Sequence, residues 1–335
     1  MEKLLDEIES YWSTRTEGYS EVNHKELAGT QKNAWLKVLT SQFPDKPKEE
    51  IRILDIGTGP GFFPVILAEA GYHVDAVDYT EGMLEKAKEN AGDLCRNIRF
   101  LRMDAQKLDF EDNTFDVVIS RNLTWNLEHP DVAYREWVRV LKVGGRLLNF
   151  DANWYGYLYE EEQRKAYEND RKNVENNSLD DHYLCTDIER MERIALQVQL
   201  SKISRPQWDV KTLREAGLLG IRTDTEIWKT VWSEEERLNY QSTPMFMVTG
   251  VKPDHFLNLP VAAGEKTEGF RRWRICPSCN HHPWKRSWKN RSRHSRSSCR
   301  RVCGDPDSDR AVEAAETGKG KGPAGSGKGA EPGRL

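Results

Sequence analysis

Leu54–Phe63 reads LDIGTGPGFF, an apolar run that ends in Asp55 and is followed by glycines at 57, 59 and 61. Glycine has no Cβ to hold a ligand away from the main chain and reaches backbone conformations closed to other residues, so this turn can lay bare backbone against a small molecule. About 20 residues further on, VDAVDYT ends a second apolar run in Asp78, whose carboxylate can accept from both hydroxyls of a ribose. A dinucleotide site has the spacing GxGxxG, with pyrophosphate on the helix that follows. Here the third glycine comes one position earlier and Pro60 stiffens the turn, which suits a nucleoside ligand without phosphates better.

The elements that must carry these residues form an α/β pattern, with short β-branched runs alternating with stretches of helical period. Strands are expected at Ile51–Asp55, His73–Asp78, Ile98–Met103, Phe115–Ser120 and Arg146–Phe150. Pro64 lies in the first turn of the helix after the glycines, and Gly71 closes it. Thr80 is placed to cap the next helix, which has Met83, Leu84 and Ala87 on its buried stripe. Pro130 and Asp131 open a third, with Ala133, Trp137, Val140 and Leu141 on one face before Gly144 and Gly145 stop it. Two helical patterns over residues 1–45 precede the sheet. Residues 154–204 read as charged helix, too long for an ordinary connection and suited to a lid. Trp208–Ala216 reads as helix, IRTDTEIWKTVW as strand, and Met245–Val251 as the last strand, so one domain is expected over residues 1–253.

In this arrangement the chain resembles the class I S-adenosylmethionine-dependent methyltransferases, in particular the methyltransferase type 11 group that includes ubiquinone and menaquinone biosynthesis methyltransferases. The likeness runs from about residue 50 to 150 and more loosely to 253. It implies a Rossmann-like, mostly parallel seven-stranded sheet with helices on both faces, and S-adenosyl-L-methionine as cofactor. By the same resemblance Asp55, Gly57, Gly59 and Gly61 face the aminocarboxypropyl arm and Asp78 holds the ribose. MDAQ at Met103–Gln106 supplies Asp104 for the adenine amino group and the Ala105 N–H for the ring. Tyr79 and Met83 join the cofactor-binding group, and Tyr19 corresponds to a tyrosine that closes over the cofactor. One of Arg121 and Asn122, at the end of the fourth strand, is expected at the methionine end. LKVGG carries Val143 where the family has proline, a departure at a surface turn.

A sulfonium is already activated as a leaving group, so methyl transfer rests mostly on holding the acceptor in line at near-attack distance. If a base is used, His129 in LEHPD has the right intrinsic pKa. Asp151 is the second catalytic candidate. With Asn153 and Trp154 it follows the fifth strand, at the sheet edge where open α/β folds bind ligands, and this mixture suits a small amine, hydroxyl or thiol acceptor with an apolar body. Transfer of the cofactor's aminocarboxypropyl group, or cofactor binding without catalysis, are the competing readings.

Composition bounds the partners. Residues 1–260 hold 46 acidic and 33 basic side chains, while residues 261–335 hold 8 and 17. An acidic body repels phosphate backbones, so nucleic acid is a poor candidate for its substrate. The N-terminus has no apolar core of signal-peptide length and no run of about 18 apolar residues occurs, from which a soluble cytoplasmic protein without membrane contact is expected. The basic segment from 254 reads as a disordered, low-complexity tail. Its Cys276, Cys279, His281, His282, Cys299 and Cys303 leave a zinc or nucleic-acid module as the other reading, against which stand 19 residues between the cysteine pairs and almost no apolar residues to pack a metal core. No metal is expected in the body.

Overall fold

β-Branched and aliphatic residues alternate between two opposed layers of helix, and that alternation builds the sheet. The computed structural model describes residues 4–182 and 186–254; the expected cysteine-rich tail lies outside them. Strands β1 (Arg52–Ile56), β2 (His73–Asp78), β3 (Ile98–Arg102), β4 (Phe115–Arg121), β5 (Leu141–Asp151), β6 (Leu219–Asp224) and β7 (Phe246–Val251) form one sheet in the order 3-2-1-4-5-7-6. The first five are parallel, and β7 runs antiparallel between β5 and β6.

Ile53, Val117 and Ile119 point to one face, where they meet Trp35 and Leu39 of α2 (Gln31–Ser41) and Phe62, Phe63, Ile66 and Leu67 of α3 (Phe62–Glu69). Leu54 and Val118 point to the other face, against Ala133, Tyr134, Trp137 and Val140 of α5 (Pro130–Val140) and Leu213 of α8 (Gln207–Glu215). Helix α4 (Glu81–Ala91) joins β2 to β3. Helix α1 (Leu4–Ala28) crosses the carboxyl ends of the strands and is packed there by α7 (Ile188–Ala195), through Ile8 and Tyr11 against Met191, Ile194 and Ala195. Among the described residues, no helix is long and apolar enough to cross a membrane.

Several local expectations change. The third expected helix ends at Val140, and Leu141 already pairs with Phe115, so the fifth strand begins five residues early and carries both glycines. Thr80 stands at the start of α4 but makes no side-chain cap; its own N–H is taken by Asp78 Oδ1 at 2.9 Å. IRTDTEIWKTVW is strand only to Asp224, after which α9 (Trp228–Val231) follows. The polar SEEERLN contains α10 (Glu234–Asn239), started by a Ser233–Glu236 capping box. Among the described residues of 154–204, the expected charged helical stretches are α6 (Glu161–Asn176) and α7, between short turns.

The end of β5 is fixed by a charged cluster with no solvent access. Arg205 donates to Asp151 Oδ2 at 2.7 Å and to both oxygens of Asp209, at 2.6 and 2.9 Å, and these side chains are 0% exposed. Tyr134 OH donates to Asp209, Asn149 Nδ2 to Tyr134 OH, and Trp125 N–H and Trp154 Nε1–H to Asp151. Both oxygens of Asp151, expected to be catalytic, are thus bonded within the cluster, and the residue lines neither of the two cavities described below. Asn153 is likewise occupied, exchanging two hydrogen bonds with the backbone of Arg205. Replacing Arg205 with methionine would leave two buried carboxylates without a counter-charge. Urea unfolding of Arg205→Met is expected to show a loss of about 3–5 kcal/mol, whereas an exposed ion pair such as Arg135–Asp131 should shift it by less than about 1 kcal/mol.

Candidate active site

The chain order reverses between β1 and β4, so the loops after them diverge and leave a crevice at the carboxyl edge of the sheet. Gly57 and Gly59 make the turn after β1, with φ of +70° and +53°. The N–H groups of Gly57 and Thr58 tie the turn to Val77 O at 2.8 and 3.0 Å. A Cβ at Gly57 would stand 2.7 Å from Leu123, and one at Gly59 would point toward the Tyr19 ring. Gly61 is different: it does not wall the crevice, and its φ of +89° starts α3 while a Cβ there would press on Ala87 of α4 at 3.0 Å. Its need for glycine is helix packing, which corrects the ligand-facing role expected for it.

A cavity of about 120 Å³ opens here. Its floor is Asp55, Gly57, Gly59 and Asp78, and Tyr79, Met83, Asp104 and Ala105 close one side. Trp12, Tyr19 and Asn23 of α1 form the roof, and Arg121, Asn122 and Asn126 the far wall. The structure thus brings together most residues singled out from the sequence. Asp78 is held by Gly59 N–H at 2.8 Å and Thr80 N–H at 2.9 Å, one on each oxygen, which fixes the carboxylate at the cavity wall; burial raises its pKa and these bonds oppose the rise. Asp104 Oδ1 accepts from Gln106 N–H at 2.8 Å, and Ala105 O from Trp137 Nε1 at 2.9 Å, which sets the loop after β3. His129 is not among these residues. Its ring is 62% exposed, near Glu128, and only its backbone is fixed, by Gln106 Oε1.

A second, larger cavity of about 610 Å³ shares Trp12, Tyr19, Asn23, Arg121 and Asn122 with the first. Of the residues expected to meet an acceptor, only Trp154 reaches it. Between the two cavities Arg121 makes a bidentate pair with Glu26 of α1, at 2.8 and 3.0 Å, and lies over the rings of Trp35, Phe62 and Phe63. Burial disfavours its charge, but the Glu26 carboxylate outweighs that and raises its pKa. Tyr19, buried beside it, has its hydroxyl pKa raised by desolvation. The sequence reading missed Glu26, Asn23 and Trp12, although Trp12, Tyr19, Asn23 and Glu26 recur at the seven-, four- and three-residue steps of one helix face.

Asp55, buried at the floor, is pushed up to about pH 7 by desolvation, which Thr58 and Arg121 only partly offset. Around the smaller cavity the oxygens of Asn23, Asn122 and Asn126 lie buried without a hydrogen-bond partner. A wall of unsatisfied acceptors and a buried carboxylate beside bare glycine backbone suits a ligand with an ammonium group and a second positive centre. S-adenosyl-L-methionine has both, and a ribose for Asp78. The residues present fit that cofactor.

Residues 54–149 match the profile of a family described as a methyltransferase domain. Over this segment the chain is similar to methyltransferase domains. A demethylmenaquinone methyltransferase of Clavibacter sepedonicus is 41% identical over 98 residues, 29% of this chain and 39% of the relative. One from Paenarthrobacter aurescens is 34% identical over 149 residues, 44% of this chain and 56% of the relative. The chain therefore spans about half the length of these curated relatives. In fold it is similar to a phosphoethanolamine N-methyltransferase of Haemonchus contortus, with a TM-score of 0.50 and 18% identity over 76% of this chain and 61% of that one.

Since burial raises the Asp55 pKa, ionising it in the ligand-free fold carries a penalty that grows from the ordinary carboxylate range to about pH 7 and is constant above. A cationic ligand on the cavity floor restores the carboxylate, so binding should strengthen as pH rises. Calorimetric titration with S-adenosylhomocysteine is expected to tighten about tenfold between about pH 6 and about pH 8, and Asp55→Asn to bind weakly with little pH dependence.

Proposed function

We propose that this chain is an S-adenosylmethionine-dependent methyltransferase that transfers a methyl group to a small molecule held in the larger cavity. The observation that carries this reading is the shared wall: a cofactor seated on the glycine turn and Asp78 would have its methionine end at Tyr19, Asn23, Arg121 and Asn122, and those same side chains border the larger cavity. When bound, the cofactor supplies a methyl group on a positively charged sulfur, ready for displacement from the opposite side. The chain's residues then have three tasks. Asp78, Asp104 and the glycine backbone fix the donor. Trp12 and Tyr19 of α1 cover it and exclude water. The aromatic walls beyond hold the acceptor in line, and orientation of this kind supplies most of the acceleration.

His129 as a base finds no support in its position. The names of the curated relatives bring forward a quinone-type ring as acceptor, while the aromatic residues of the larger cavity suit either a flat ring or a cation. Aminocarboxypropyl transfer would need the acceptor at a different carbon of the same arm; the accumulated product separates the two reactions.

Incubating the full chain with methyl-labelled cofactor and small-molecule extracts is expected to label a low-molecular-weight product and to release S-adenosylhomocysteine. Asp78→Ala removes the ribose contact and is expected to weaken cofactor binding about 10- to 100-fold. Recovery of methylthioadenosine instead, or unchanged cofactor affinity in Asp78→Ala, would contradict the assignment.

A further inference from the structure

Three groups of ring contacts line the larger cavity. Trp154 meets Tyr240 edge-on at 5.3 Å, Tyr240 meets Trp232 at 5.6 Å, and Trp125 meets Tyr155 at 5.0 Å. On the α1 side Tyr11 meets Trp12 at 5.4 Å and Trp12 meets Tyr19 at 5.7 Å. Aromatic faces carry negative charge density and attract cations that have left water.

The charges facing the same space are mainly acidic, and its basic groups are largely engaged. Arg121 is held by Glu26. His182 lies between Tyr240 OH at 2.9 Å and Glu235 at 3.1 Å, and Asp181 pairs with Arg171. Lys25 reaches Asp180 at 4.0 Å, both of them out in solvent, and Arg15 and the exposed Glu21 stand at the α1 edge. Deeper in, Glu236 accepts only neutral donors, Ser233 N–H at 2.8 Å and Gln31 Nε2 at 2.6 Å. Asn23, 1% exposed, presents an oxygen without a partner where the two cavities meet.

We infer that the larger cavity recognises a cationic nitrogen, so that the methyl acceptor is an amine. This rests on the methyltransferase reading and narrows its substrate class. A phenolate or other anionic acceptor would meet Glu26 and Glu236 with a single neutralised guanidinium between them. A protonated amine instead gives Glu236 a counter-charge in addition to Arg121, which is already held by Glu26, and its alkyl groups fit the rings. For transfer, the amine releases its proton to a carboxylate of the cavity or to water. The nitrogen lone pair then forms the N–C bond while the C–S bond breaks and sulfur keeps that pair. Positive charge so passes from sulfur to nitrogen, into the space that rings and carboxylates stabilise.

Choline and 3,3-dimethyl-1-butanol have nearly the same shape and differ in charge. Titrated calorimetrically into the full chain saturated with S-adenosylhomocysteine, choline is expected to bind about tenfold more tightly or better. Glu236→Gln is expected to reduce that preference to about threefold or less. Trp12→Leu, in a side chain away from the Glu236 capping box, should reduce it independently if Glu236→Gln does not fold. Equal binding of the two probes, or preference for the alcohol, would overturn the inference. The preceding S-adenosylhomocysteine titration reports on the cofactor site alone, so failure of the methyltransferase reading would be seen there and not in the choline ratio.

Discussion

The bidentate contact between Arg121 and Glu26 ties the two halves of this site together. Arg121 ends the fourth strand and Glu26 lies in the last turns of the N-terminal helix, 95 residues apart in sequence. The guanidinium is buried among Trp35, Phe62 and Phe63, where it could not stay charged without the carboxylate, and Glu26 is buried in turn. Neither partner is tolerable alone, so the helix is held over the strand ends at one height and one rotation. That placement sets Trp12, Tyr19 and Asn23 as a partition, with the smaller cavity on one side and the larger on the other.

The second buried ion cluster does a different job. Arg205, Asp151 and Asp209 bind the loop after the fourth strand, the end of the fifth and the helix at 207–215 into one unit, and their donors and acceptors are satisfied within it. Charged groups at the carboxyl edge of an α/β sheet are therefore not all catalytic here. One cluster faces the ligand space, and the other makes the edge rigid enough for that space to have a fixed shape.

What the sequence made legible was local. The glycine turn, Asp78 and Asp104 each follow a strand directly, so strand pattern and spacing place them, and the structure gathers them around one cavity. Asp151 looked equivalent by the same reasoning. Its partner Arg205 lies 54 residues away, and nothing in the intervening periodicity announces that pairing. Gly61 shares the motif's regular spacing, yet its constraint comes from Ala87, on a helix whose approach only the fold determines. His129 carried suitable chemistry at a position that turned out to face solvent. The larger cavity was least legible because it is assembled from the first helix, the segment after the fifth strand and the crossover before the seventh, which lie far apart in sequence.

The central claim is that the Arg121–Glu26 contact positions the partition on which cofactor binding depends. A double-mutant cycle with Glu26→Gln, Arg121→Met and the pair together, read by S-adenosylhomocysteine affinity, tests it directly. Each single change should weaken binding by about tenfold or more, and the double variant should be no weaker than the worse single. Wild-type affinity in the singles, or losses that simply add in the double, would contradict the account.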